Sequence, residues 1–541
     1  MTSAESGLAY RRLRAPTDHG LALLEPRLDE LPSLVELNRR RDIDRIRLLD
    51  QPLKQLAQQA RRQLLGLARN YSNAYLPASG AAAELDPAAP ILLSGHQPDL
   101  FHTGVWFKNF VLSAAAARVG GVAINLTVDV DLCRTTSVNA PRLVGGLVDF
   151  DTVPFDEQLQ PQPLESRRIG DLGLFGKFGA AVGERASTYA ADPVIGHLWP
   201  YAVELGRAGR PLGQCFAAAR HLVEFQLGLR TLELPVSKLA DSDSFRWFVA
   251  DMLERADDFL TVHNESLRVY RRVNRVRSRS HPAPALERLS EKVETPFWVW
   301  SADAPRRRRL FVSTSAASWT LSDENNWSVS IEIDGRGKGE SIVAQLTELA
   351  REGLRIRPRA FATTLFARLF CCDLFLHGIG GAKYDQLTDE LMRRFYGAPA
   401  PALAVATCTM HLPLPTTPTT AADVREIERK IRDLRFRPEC GLPKDIKRIA
   451  EVADLLETKR RWVEMQPPRG AGKARREKLV EINQLLQRYV DEPRAGLLRS
   501  ADEAREQVRA NRRLRSREYS FCVHDMSTLT PRLLELSEKG S

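Results

Sequence analysis

The sequence predicts an α/β protein, a largely parallel sheet covered by helices, on three observations. Two buried strand candidates, "APILLS" (89–94) and "VAINLTVDVD" (122–131), flank one helical segment, "TGVWFKNFVLSAAAARVGG", which stops at Gly120-Gly121. A second strand, turn and helix recurs in "DLFLHGIGGAKYDQLTDEL" (373–391). The chain has 541 residues, 43% hydrophobic and 27% charged, which is enough apolar material for a large core. Strand, helix, strand in that order is a crossover unit, and crossover units build parallel sheets with helices on the faces.

The elements follow in order. In residues 1–88 a Pro-containing entry precedes "IDRIRLLDQPLKQLAQQARRQLLGLARNY", helical by its apolar spacing, and "SGAAAELDPAAP" is a loop. Residues 89–238 hold the first half of the core. Polar and Pro-rich interruptions leave 140–230 without a clear element pattern. "LELPVSKLADSDSF" (232–245) reads as a strand entering a helix, with Asp241–Ser244 supplying the N-cap. Residues 239–340 form a connecting subdomain. It has one long helix through "RWFVADMLERADDFLTVHNESLRVYRRVN" and a hairpin in "TPFWVWSADAPRRRRLFVS", with Arg306–Arg309 on an exposed strand face. Residues 341–417 carry the second half of the core, closing with the strand "ALAVATCTMHLPL".

From 418 to 516 the pattern changes. Val424, Ile427, Ile431 and Leu434 recur at 3-4-3 spacing, and later segments repeat the style around the break "QPPRGAGKA". Two long helices folded into an antiparallel coiled-coil arm are predicted. The tail, 517–541, regains aromatic residues and is expected to dock on the core.

Composition narrows the function classes. No run approaches the roughly 18 apolar residues of a membrane helix. The opening residues lack an apolar leader core, so a cytoplasmic location is expected. The seven cysteines form no C-x-x-C pair, which argues against a disulfide framework and a structural zinc site. Cys371-Cys372, among Leu and Phe, reads as core packing. Of the net charge of +10, residues 421–520 carry +8, from 26 Lys+Arg against 18 Asp+Glu. Acidic and basic residues alternate there, as on a solvated helix face, and no stacking or groove-reading motif accompanies them. Nucleic-acid binding through this arm is the weaker reading.

In open α/β sheets ligands bind beyond the carboxyl ends of the strands. Ser94-Gly95-His96-Gln97 ends the first strand. There His96 is placed to donate to a phosphate oxygen, or else to cap the helix or bond a loop carbonyl. Asp129 and Asp131, two apart in an extended strand, are expected on one side, where they suit Mg²⁺ or a substrate ammonium. The alternative is an ordinary Asp-rich turn. His377 with Gly378, Gly380 and Gly381 opens a helix whose first N–H groups suit an anion, although many such turns are glycine-rich only for packing. Lys383 is either a phosphate partner or a surface lysine, Asp241 and Ser242 are further candidates, and His524 reads as a buried structural histidine. No G-x-S-x-G, no Walker motif and no activated cysteine is present. The catalytic set is therefore His96, Asp129 and Asp131. The binding set is Ser94, Gly95, Gln97, Asp241, His377, Gly378, Gly380 and Gly381. No resident metal is called.

Several segments together resemble one family. "SGHQPDLF" resembles the T-G-Q-Q-x-x-L-F segment of the bacillithiol biosynthesis cysteine-adding enzymes, and "VDVD" resembles their E-D-H-D, with Asp129 and Asp131 on its two aspartates. "LADSDSF" before a long helix, "RRRRLFV" after a hairpin, "RIRP" leading to "LHGIGG", and the closing "REYSFCVHDM" follow in the family's order from about residue 90 onward. His96 stands where the family has the first Gln of its pair. Val128 and Val130 replace an acid and a histidine, and His377-Gly378-Ile379-Gly380-Gly381 rewrites the later glycine turn.

The resemblance implies a Rossmann-like core with inserted subdomains and a C-terminal coiled-coil arm that makes a homodimer. It also implies a ligase that adds cysteine to glucosaminyl malate, with ATP or ADP bound in the core and Mg²⁺ as a companion. The departures point to a divergent branch acting on another amine or thiol. The competing readings are a non-catalytic metabolite-binding or scaffold protein of the same fold, and a nucleic-acid binder using the basic arm.

Overall fold

Strands buried on both faces are mostly apolar, and five such segments with one half-exposed edge strand make the central sheet. In chain order these are β1 (Leu21–Glu25), β2 (Ile91–His96), β3 (Val122–Thr127), β4 (Leu232–Pro235), β5 (Leu374–His377) and β6 (Ala404–Thr409). The computed structural model describes residues 8–539, except 9, 11, 81, 83, 158–159, 326, 334–337 and 467–471. Across the sheet the order is β1-β6-β5-β2-β3-β4. All neighbours are parallel except β1, which runs antiparallel along β6. The protein is thus α/β with a mostly parallel, Rossmann-like sheet.

Connectivity decides where the site lies. Helix α1 (Thr103–Val119) carries the chain from β2 to β3, and β4 lies beyond. β5 pairs with the opposite side of β2, and helix α2 (Ile379–Leu391) leads outward to β6. The direction of travel therefore reverses between β2 and β5.

The amino ends of these two strands are tied together by Asp373. Its carboxylate accepts from the Ile91 amide at 2.8 Å and from two Arg61 nitrogens at 3.1 and 2.8 Å. The Asn38 side chain donates to Asp373 O and Ala402 O, both at 2.8 Å.

A second, antiparallel sheet has the order Ser328–Glu332, Ser318–Ser322, Ala304–Thr314, Lys292–Ser301, Leu354–Pro358. Phe245, Phe248, Phe297 and Phe366 are part of one apolar core shared by the two sheets.

Several sequence expectations are corrected. "VAINLTVDVD" stops being a strand at Thr127: the Val128 amide makes the last ladder bond, to His96 O, and the Asp129 amide then folds back on Thr127 O, which turns the chain. Asp129 and Asp131 therefore lie in a turn and do not share a strand face. The helix expected over 246–274 is two helices, Asp243–Glu254 and Ala256–Val273, parted at Arg255. Arg307, Arg308 and Arg309 are half-buried and paired with Asp131, Asp323 and Glu287, so the exposed-face reading holds only for Arg306. β1 was invisible as a sheet strand within the mixed first 88 residues.

Two compact units are present, Met1–His411 with Arg517–Ser541, and Leu412–Ser516. Among the described residues the second unit has four main helices, Ala421–Phe436, Ala450–Glu464, Gly472–Gln487 and Asp491–Leu514, around Leu434, Val452, Ile482, Leu486 and Val490. Two uninterrupted coiled-coil helices are not formed, because the "GLPKD" and "YVDEP" segments break both limbs. Most of the break "QPPRGAGKA" lies outside the described residues. Many cations of this unit pair with acids on the same or a neighbouring helix, such as Arg505 with Glu428 and Asp502, and Lys430 with Glu426. No described helix is long and apolar enough to cross a membrane.

Replacing Asp373 by Ala should lower the unfolding free energy by about 2–4 kcal/mol, because one buried amide loses its acceptor and Arg61 its counter-charge. Urea denaturation monitored by far-UV circular dichroism measures this.

Candidate functional site

Where connectivity reverses, the helices after β2 and β5 leave on divergent paths and a crevice opens between their starts. Here it has a volume of about 650 Å³. Each flanking strand ends in a histidine, His96 on β2 and His377 on β5, and both line the crevice. Around them stand Gly95, Gln97 and Asp99 from the first turn, His102, Gly104 and Lys108 from the start of α1, and Gly378–Gly381 with Lys383 from α2. Arg14, Thr407, Arg517 and Glu518 complete the rim. Four Lys and Arg residues thus face two carboxylates. The lining carries an excess of positive charge.

Two glycines make the close approaches possible. A Cβ on Gly104 would overlap Thr407 Oγ1, Cys408 O and Arg517, so a side chain there would push α1 away from the end of β6. A Cβ on Gly381 would lie 2.6 Å from His377 Nδ1, so only glycine lets the ring lie against the first turn of α2. The N-cap of α2, Gly378, offers no side chain to the first amides of that helix, which leaves them for a ligand.

The two histidines have opposite surroundings. His96 is buried. Its Nδ1 lies 3.0 Å from Gln97 O, which can only accept, so the proton of the neutral ring sits on Nδ1. Its Nε2 then accepts from Asn125 Nδ2 at 3.0 Å. Burial, followed by the nearby Arg220 and Lys108 charges, holds its pKa well below the usual value. The buried ring thus ties the turn at Gln97 to Asn125 beneath it. His377 instead donates from Nε2 to Asp385 at 2.8 Å, and Asp385 is also paired with buried Arg368. Arg368 and His377, against the opposing effect of burial, keep the Asp385 carboxyl ionised far below its usual range. Nδ1 of His377 is left as an acceptor beside Gly381.

Lys108 is the residue that motif reading missed. Only 4% exposed, it donates from Nζ to Gly95 O at 2.7 Å, and among the described residues no carboxylate pairs with it. Burial and then Arg220 bring its pKa down to about 7. Its signal was present in "TGVWFKNF", where a lysine four residues after Gly104 interrupts an aromatic helix face. Arg517, which donates to Thr407 Oγ1 at 2.7 Å, comes from the tail; it opens the segment "REYSFCVHDM" but was not among the candidate site residues.

Beneath His96 lies an ionic cluster that is almost solvent-free. Arg220 donates to Glu224 at 2.7 Å and to Glu233 at 2.9 Å. Asn109 and Trp106 donate to Glu224, both at 2.7 Å, and Asn125 donates to Glu233 at 2.8 Å. Burial ahead of the Arg220 charge raises Glu233 to about 7.

The remaining candidates fall elsewhere. Ser94 Oγ donates to Leu376 O at 3.0 Å inside the sheet. Asp129 accepts from the Ser237 amide at 2.9 Å and from its hydroxyl at 2.5 Å, while burial, then Glu165, raises its pKa to about 7. Asp131 accepts from Gln97 at 2.9 Å and pairs with Arg307 at 3.0 Å. Asp241 pairs with Arg357 at 2.8 Å in a separate hollow. Asp129 and Asp131 are thus engaged with different partners and make no metal pair. Among the described residues no group of three His, Cys, Asp or Glu side chains is arranged to hold a metal.

Two predictions follow from these charges. Arg220→Met leaves two buried carboxylates without their cation and should cost about 3–5 kcal/mol in urea unfolding. Lys108 makes stability rise with pH above about 7. Below that value the ammonium is charged in both states and the folded chain bears the burial cost. Above it the folded chain has released a proton that the unfolded chain keeps, up to the ordinary lysine range. Lys108→Met should flatten that rise, measured as unfolding free energy from pH 7 to 10. The raised Asp129 and Glu233 act in the opposite sense and at lower pH, where stability falls as pH rises toward 7.

No protein-family model matches this chain, and no curated protein matches it.

Proposed function

We propose that the protein is a nucleotide-dependent ligase that binds ATP or ADP in the crevice between β2 and β5 and joins a carboxylate to an amine or thiol. Lys108 is the observation that carries this reading: a buried cation without a counter-charge, opposite the uncapped start of α2. A phosphate chain supplies the missing negative charge, and a volume of about 650 Å³ suits a small-molecule ligand. The order of motifs shared with the bacillithiol cysteine-adding enzymes supports the reaction class, with cysteine and glucosaminyl malate as first substrates to try. The helical unit, Leu412–Ser516, is the segment to which that resemblance assigns homodimer formation.

In this reading Lys108 and the α2 amides orient the phosphates. The substrate carboxylate attacks a phosphorus atom, forming an acyl phosphate with loss of ADP or an acyl adenylate with loss of pyrophosphate. The amine then attacks the acyl carbon and expels phosphate or AMP. Its proton passes to Nδ1 of His377, which Asp385 holds in the accepting tautomer. Any Mg²⁺ would be carried by the phosphates.

One observation favours the second reading, a metabolite-binding or scaffold protein of the same fold. His96, Asp129 and Asp131, the three residues assigned to catalysis from sequence, are each occupied by protein partners.

Thermal stabilisation by ATP or ADP should be seen with the native chain and lost in Lys108→Ala. ATP-dependent joining of cysteine to an amine should fall by about 10²–10⁴ in kcat for His377→Ala, with nucleotide binding kept. Binding without turnover selects the second reading, and no nucleotide binding overturns the first.

A further inference from the structure

A second concavity of about 340 Å³ lies apart from the crevice and shares none of its lining residues. Tyr71 and Tyr75 form its aromatic wall, with ring centroids 5.6 Å apart and planes at 77°. The wall is rigid. Tyr75 Oη donates to His221 Nδ1 at 2.7 Å, and His221 Nε2 donates to Thr231 O at 2.9 Å, which fixes both rings. Leu67 and Leu205 add aliphatic surface.

The polar lining is one-sided. Arg210 and Lys238 bring two cations, Asn70 and Gln214 bring two amides, and no carboxylate lines the hollow. Among the described residues none of these four side chains has a hydrogen-bond or ion-pair partner. The nearest buried acids are already engaged, Asp129 by Ser237 and Glu233 by Arg220 and Asn125. The phenol of Tyr71 is held neutral by burial and by those two acids, and so remains a donor at the floor.

We propose that this hollow is a binding site for a small organic oxyanion, a flat or branched apolar body carrying one carboxylate or phosphate. The body lies against Tyr71 and Tyr75, and the anion meets Arg210 and Lys238. The volume is at the small end of the range of about 300–1,000 Å³ found for ligand pockets, so the ligand is smaller than a nucleotide. Aromatic walls with a few convergent polar groups are the usual make-up of such pockets. The site does not depend on the nucleotide reading of the crevice.

Benzoate, phenyl phosphate and the uncharged benzamide are suitable probes for the full-length chain, followed by thermal shift and by ligand-observed NMR. Benzoate or phenyl phosphate should bind, and the preferred one names the anion. Benzamide should bind at least about tenfold more weakly, the loss expected for a charge-assisted contact. The double variant Arg210→Ala with Lys238→Ala should lower anion affinity by a similar factor without changing the unliganded melting temperature, since both side chains are exposed and unpaired. Lys108→Ala should leave anion binding intact. The proposal is overturned if neither anion binds, if benzamide binds as well as benzoate, or if the double variant binds as the native chain does.

Discussion

A parallel sheet built from crossover units must place each helix start beside the carboxyl end of a strand. Where the chain changes its direction across the sheet, two such starts separate and no sheet residue fills the gap. In this molecule the gap falls between β2 and β5, and every feature of the candidate site follows from it. Asp373 ties the opposite ends of the two strands together, and the register sets Leu376 beside Ser94, so the two terminal histidines end within one residue of each other. Gly104 then lets α1 begin against the end of β6, Gly381 lets α2 lie on the His377 ring, and Lys108 reaches the start of α2 beside Gly378.

Equivalent positions on neighbouring strands do not give equivalent chemistry. His96 sits above amides and cations, which fix it as a neutral ring with both nitrogens engaged. His377 sits on a carboxylate held ionised by a buried arginine, which leaves one nitrogen turned toward the crevice. Burial is the common factor, and the partners decide the outcome. The Arg220 cluster shows the same logic at the level of stability. Its two carboxylates are tolerable without water because one guanidinium, two amides and the Trp106 indole meet them.

The parallel core was legible because continuous apolar runs around a glycine-stopped helix have few other solutions. The glycine turn at 378–381 and the histidine beside it were legible for the same reason, since glycines after a strand mark a close approach. What failed was fine placement. Asp129 and Asp131 looked like neighbours on a strand face, but the Asp129 amide folds back on Thr127 O, which turns the chain and sends them to Ser237 and to Gln97 with Arg307. Lys108 was hidden because a lysine within a helix ordinarily means solvent, and only the three-dimensional packing makes it a buried cation. Arg517 joins the rim from more than 400 residues away along the chain, a proximity that no local pattern encodes. The helical unit misled in another way. Its spacing was helical throughout, but spacing does not report where the Gly-Leu-Pro and Glu-Pro segments interrupt the helices.

In the proposed reading the buried Lys108 amine, which no carboxylate pairs among the described residues, meets the negative charge of a ligand. Its side-chain nitrogen resonance, followed by ¹⁵N NMR at mildly alkaline pH while ADP is added, reads this directly. A move toward the value of a charged ammonium, as the incoming phosphates draw a proton onto the amine, is the predicted result. Saturable ADP binding that leaves this resonance where it was would contradict the account.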